Sequence, residues 1–208
     1  MTFYIPQHFR VEDADTLLEF MQAHGFVDLV STVDGELQVS HVPVLAARDK
    51  DGNFRVTGHL ARANPHWQVL ERASDVVAIF RGPHAYVSPG WYQNHPSVPT
   101  WNYAVVHAHG PVRLMDEAEL HEVVHELSAR YEGSRAKPWK LGEQPAAYVH
   151  SMLEHIVGFE MTVARLEGKF KLSQNRPAEI DRVIAGLEGD GEGELAAFMR
   201  SHLVPAKA

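Results

Sequence analysis

The sequence contains no cysteine. That removes disulfides, thiol nucleophiles and cysteine-ligated metals, and it fits a cytoplasmic protein, where disulfides are rare. No apolar run approaches the roughly 20 residues that cross a bilayer as a helix. The start, Met1-Thr2-Phe3-Tyr4-Ile5-Pro6, lacks the basic and apolar regions of a secretory signal. Walker glycines and a Gly-x-Ser-x-Gly elbow are absent as well, which removes the common phosphate loop and the common serine nucleophile. Basic residues are in deficit, 19 against 27 acidic, for a formal net charge of −8. Such a balance repels phosphate backbones and disfavours direct DNA binding.

What remains is an ordinary globular composition. Hydrophobic residues make up 45% and charged residues 22% of 208 positions, enough to bury a sizeable core. Asp13 is placed to cap a helix through Leu17, Phe20 and Met21, with Gly25 past its end. Asp34-Gly35 and Asp51-Gly52 predict hairpins between alternating segments. Asn64-Pro65 predicts a helix start, and Val76 to Phe80 has the length of a buried strand. Gly82 to Tyr103, rich in Pro, Trp and Tyr, reads as a structured loop. Asp116 with Glu119 predicts a capping box, for a helix that Gly133 ends. A final strand pair is expected over Ile156 to Leu172, turning at Glu167-Gly168, and two short acidic helices follow Pro177. Short strands, tight turns and intervening helices predict a small β-barrel with helical trimmings.

Several segments carry candidate chemistry. His121-Glu122-Val123-Val124-His125 matches HExxH, which sets two imidazoles on one helix face for zinc. The apolar stripe of that helix is Leu120, Val123, Val124 and Leu127, however, so both histidines fall on its polar flank and the match reads as accidental. Gly189-Asp190-Gly191-Glu192-Gly193 follows no strand, and its acids would repel phosphate, so it reads as a turn. In Gly58 to Trp67 a strand ends, Arg62 follows and a helix is expected at Asn64-Pro65; a guanidinium and free amides together suit a phosphate. Trp101, Asn102 and Tyr103 offer planes and an amide to a flat ring system. Gly168 to Arg176 gathers cations and amides in an acidic chain.

Read together, these segments are more specific. Tyr4 to Phe9, Ser40-His41-Val42-Pro43, Gly58 to Trp67, Phe80 to Tyr86, Val98 to Tyr103, Ile156 to Glu160 and Lys171 to Arg176 occur in the order of one family pattern. The chain resembles the PaiB family, the FMN-binding negative transcriptional regulators, from its start to about Leu187. The resemblance implies an α+β, mainly β fold, the FMN-binding split β-barrel with peripheral helices. It spans residues 1–187, with 188–208 as a C-terminal helical tail packed on the same domain. It also implies a homodimer with FMN at the interface. The implied phosphate contacts are Arg62 and Asn64, with His59 and Ala61 beside them. Trp101, Asn102 and Tyr103 are implied neighbours of the isoalloxazine or ribityl chain. Lys171, Gln174, Asn175 and Arg176 are expected to reach the cofactor, and Ser40 and His41 lie near it. Gly90 and His66 depart from the pattern, where serine and glutamine are usual. The family name implies repression of degradative-enzyme and sporulation genes. FMN-dependent oxidation or reduction and haem binding are the alternatives, the last prompted by 14 histidines.

Overall fold

The computed structural model describes residues 3–73 and 75–203; Met1 and Thr2 of the opening motif and residues 204–208 of the expected tail lie outside them. Among the described residues there are nine strands and six α-helices. They form two compact units, one of Leu18–Phe80 with His107–Leu166, the other of Met1–Leu17, Arg81–Val106 and Glu167–Ala208.

The first unit is built on β2 (Phe26–Val33), β3 (Glu36–Arg48), β4 (Phe54–Ala61), β8 (Ile156–Thr162) and β7 (Val112–Leu114), antiparallel neighbours in that order. Asp34 and Gly35, at φ 54° and 83°, make the turn that pairs Val33 with Glu36, as Asp-Gly predicts. Gly52, at φ 84°, closes the next hairpin. Strand alternation then sends Val27, Leu29, Val44, Val56, Leu60, Phe159 and Met161 to one buried face. The opposite face of β4 and β8 carries helix α3 (Glu117–Glu132), which has the expected capping box between Asp116 and Glu119 and ends at Gly133. A Cβ on Gly158 would meet Met115 and Leu120 at 3.0–3.1 Å, so this glycine lets α3 sit down on β8. Helix α4 (Ala146–Leu153) packs Val149 and Leu153 against Leu120 and Leu141.

The second unit holds β1 (Arg10–Val11), β9 (Arg165–Lys171) and the adjoining stretches of β6 (Thr100–Gly110) and β5 (Val76–Val87), in the order β1-β9-β6-β5. Helices α5 (Ile180–Gly189) and α6 (Gly193–Leu203) bury Val183, Ile184, Leu187, Leu195 and Met199. Asp13 caps α1 (Ala14–Ala23), accepting from the Thr16 amide at 2.7 Å.

Two expectations change. Gly82 to Tyr103 is not all loop: β5 runs to Val87, and β6 begins at Thr100. Pro83, Ala85 and Val87 are buried while His84 and Tyr86 are exposed, a two-residue period that the Gly-Pro pair hid. The turn between β8 and β9 falls at Val163-Ala164, where the amides donate to Phe54 and His109 carbonyls. Gly168 instead lies inside β9, because a Cβ there would come 2.3 Å from Leu17 Cδ2. The short helix expected after Asn64-Pro65 is present as α2 (Trp67–Leu70), a single turn. It is too short to bring a useful dipole to an anion.

Candidate functional site

In the first unit, the candidates Ser40 and Asn64 are brought together by a residue the motifs had passed over. His66 is buried, with Nε2 2.8 Å from Ser31 Oγ and Nδ1 2.8 Å from Ser40 Oγ. Asn64 Nδ2 donates to Ser40 Oγ at 2.9 Å, and Asn64 Oδ1 accepts from the His66 amide at 3.0 Å. The neutral ring donates from one nitrogen and accepts at the other, so one of the two serines accepts a hydrogen bond from His66 and the other donates one. Burial pushes the His66 pKa down, which favours the neutral ring. The serines sit on the apolar face of β2 and β3, so an imidazole is what satisfies them there.

The other candidates of this unit point elsewhere. His41 is on the exposed face, its Nδ1 2.6 Å from Asp28 Oδ1. His59 lies on the strand face opposite Leu60; burial lowers its pKa, and its Nδ1 is buried without a hydrogen-bond partner. Ala61 is exposed and accepts from the Asn64 amide. Arg62 spends its guanidinium on main chain, with Nε donating to Glu154 O at 2.7 Å and Nη2 to Ile156 O at 3.0 Å. It lines a cavity of about 270 Å³ together with Asp116, Glu117 and Glu154. One guanidinium among three carboxylates, already bonded to two carbonyls, is a poor receptor for a phosphate dianion.

In the second unit, strand alternation divides the remaining candidates between two faces. Trp101 and Tyr103 lie on one. Asn102 is fully buried on the other, its Nδ2 donating to Ser173 Oγ at 2.9 Å and lying 3.7 Å from Met199 Sδ. On the face of Trp101 and Tyr103, Lys171 Nζ donates to Thr100 Oγ1 and to Trp101 O. Lys169 is 6% exposed, its Nζ 5.2–5.4 Å from the ring centres of Phe3, Tyr4 and Tyr103 and donating to Tyr4 O. Burial, and then the charge of Lys169, pushes the Lys171 pKa down. Neither ammonium has a carboxylate partner among the described residues. Beside them Trp101 is 53% and Tyr86 46% exposed, with ring centres 6.3 Å apart, and His84 lies 6.4 Å from Trp101. Two uncompensated cations next to exposed rings in an acidic chain can take a planar group that carries an anion.

Gln174 turns back on its own strand, accepting from Leu172 N and donating to Phe170 O. Asn175 is exposed. Arg176 ties down the 88–99 segment, donating to Ser97 Oγ at 3.0 Å and lying 4.7 Å from the Tyr92 ring centre. The stronger tie was not visible in the sequence. Glu179, 3% exposed, accepts from the Gln93 and Asn94 amides and from Asn94 Nδ2 at 2.8–3.1 Å. The Gln93 amide, aided by Asn94 and working against burial, holds this carboxyl below the usual range. A depressed folded pKa contributes stability that is present above about pH 4.3, the unfolded value, and is lost as pH falls through the folded one. The stability gap between wild type and Glu179→Gln is therefore expected at pH 7 and expected to close in acid. Urea titrations across pH check this, and a gap that does not change with pH would remove the carboxylate clamp.

The HExxH histidines keep to the polar flank of α3. Neither belongs to a cluster of three or more potential metal ligands among the described residues. His121 lines one groove and His125 a separate cavity beside Trp139.

Comparison with known proteins adds four findings. The family model described as "Putative FMN-binding domain" matches residues 3–165. Protease synthase and sporulation protein PAI 2 of Bacillus subtilis is 38% identical over 173 residues, 83% of each chain. An uncharacterized protein of Emericella nidulans is 33% identical over 192 residues, covering 74% of this chain and 76% of its own. Among solved structures, the flavocytochrome Anf3 of Azotobacter vinelandii superposes with a TM-score of 0.58 at 16% identity, over 80% of this chain and 72% of that one. The fold is thus the split barrel with peripheral helices that the motifs implied.

Proposed function

The chain belongs to the PaiB-like FMN-binding domain family, with FMN as its cofactor, and on that premise we propose that it is a regulatory flavoprotein. The flavin lies on the face of Trp101, Tyr103, Lys169 and Lys171, with the phosphate at Lys171. The observation that carries this placement is the pair of lysines, without a carboxylate partner among the described residues, beside exposed aromatic rings. Bound flavin would supply one- and two-electron redox chemistry. The protein's own part is to stack rings on the isoalloxazine, to neutralise phosphate, and to hold the 88–99 segment through Arg176 and Glu179. Ser40, Asn64 and His66 form a second, uncharged set within the first unit, and a homodimer is the assembly proposed.

By the printed name of its Bacillus relative, the role proposed is control of protease and sporulation functions. A net charge of −8 supports indirect action through a partner over direct reading of DNA. No helix among the described residues is long and apolar enough to cross a membrane, and together with the absence of cysteine this supports a cytoplasmic setting.

The test is a flavin spectrum of the purified chain after FMN titration, followed by DNA retention at physiological salt. Saturable FMN binding with DNA affinity no tighter than about 10⁻⁶ M is expected. Nanomolar, sequence-dependent retention of a promoter fragment would make repression direct. Rapid bleaching of the flavin by NADH or NADPH would favour an FMN-dependent oxidoreductase.

A further inference from the structure

Helices α3 and α4 leave between them a groove of about 630 Å³, wholly within the first unit. Its floor is Leu141, Val149 and Leu153, each 7–8% exposed and packed with Leu120. Its charged rim is Glu117 and Glu122, each beside a histidine of the same lining, His150 and His121, and no lysine or arginine lines it. Glu117 Oε1 is hydrogen-bonded to His150 Nδ1 at 2.7 Å, which orients the carboxylate at the mouth. The His121-Glu122 half of the HExxH match also lies here, so the sequence feature left without a metal role faces this groove.

We propose that the groove is a binding site for an organic cation, a primary ammonium carried on an apolar body. A neutral apolar ligand gains nothing from the two carboxylates, which stay largely in water, and a hydrated inorganic cation would leave the leucine and valine floor wet. An alkylammonium answers both, its chain against Leu141, Val149 and Leu153 and its head between Glu117 and Glu122. An anionic amphiphile is repelled by the same rim. The site is independent of the flavin proposal, since it shares no residue with the face that holds Lys169 and Lys171.

The test is calorimetric titration of the full chain with n-octylammonium chloride, n-octanol and sodium octanoate, each kept below micelle formation. One saturable octylammonium site is expected, with octanol weaker by roughly tenfold and octanoate silent. Glu117→Gln and Glu122→Gln should each weaken octylammonium by roughly two- to fivefold, the range for exposed ion pairs, and leave octanol unchanged. Ala118→Trp, at an exposed position on the groove wall, should abolish binding while circular dichroism stays native. Equal affinity for octanol, indifference to the glutamate changes, retention in Ala118→Trp, or no saturation below roughly 1 mM would each overturn the proposal.

Discussion

Lys171→Met is expected to weaken FMN by roughly ten- to a hundredfold and to leave riboflavin almost untouched. The ammonium is held by Thr100 Oγ1 and Trp101 O, half out of water and beside the charge of Lys169. A phosphate relieves that repulsion, and a charge-assisted hydrogen bond is worth about 1.5–3 kcal/mol, which is one to two decades in affinity. Riboflavin lacks the phosphate and would feel only the loss of local order, which the isosteric methionine stem keeps small. Arg62→Ala is the informative comparison. Its guanidinium braces Glu154 and Ile156 carbonyls in acidic surroundings, so its removal should lower stability and change FMN affinity by less than about threefold. Fluorescence titration of both flavins against wild type and both variants reads the result. Equal losses for FMN and riboflavin in Lys171→Met would reduce the lysine to a support of β6. A loss confined to FMN in Arg62→Ala would return the phosphate to the Gly58 to Trp67 segment.

Phe159→Ala should cost about 3–5 kcal/mol of stability. Phe159 is fully buried at the centre of β8, paired with Gly58 of β4. A Cβ on Gly58 would stand 3.1 Å from Phe159 Cζ and 2.9 Å from the Pro43 carbonyl oxygen. The glycine thus leaves the room that the ring fills, and the backbone around it cannot close over a truncated side chain. For a chain of this length the melting temperature is expected to fall by roughly 6–20 °C. Thermal unfolding followed by circular dichroism checks it, and a fall of only a few degrees would mean that the strands collapse around the missing ring.

The sequence displayed those elements whose causes are local. Asp34-Gly35 makes its turn because two successive left-handed residues are cheap there and nowhere nearby. Asp116 and Glu119 cap α3 through bonds that span three residues. The family was legible for a related reason, since its pattern is a set of short segments in order. The site was legible only in its residue types. Lys171, Trp101 and Tyr103 were implied as contacts by the family pattern, but Lys169, with an aromatic surround drawn from the N-terminal segment and β6, was not among those contacts.

What the tertiary structure decided were the matters of direction and of distant company. Asn102 shares a tripeptide with Trp101 and Tyr103 yet faces Ser173 and Met199, because neighbouring residues of a strand point to opposite faces. Gly168 reads as a turn until Leu17 arrives over it from 151 positions away. Arg62 looks like an anion receptor until the end of α4 and the start of β8 bring two carbonyls to its guanidinium. Nothing in the sequence marks Glu179 or His66 for a role, but one gathers the amides of a loop 85 residues away and the other a pair of hydroxyls from β2 and β3. By itself the sequence determined the local turns and caps, the alternation of its strands, the residue types available for a flavin, and the family. Which of those residues face the same space was settled by packing, because a side chain's hydrogen bonds and charge go to whatever the fold brings within about 3 Å, however far away it lies along the chain.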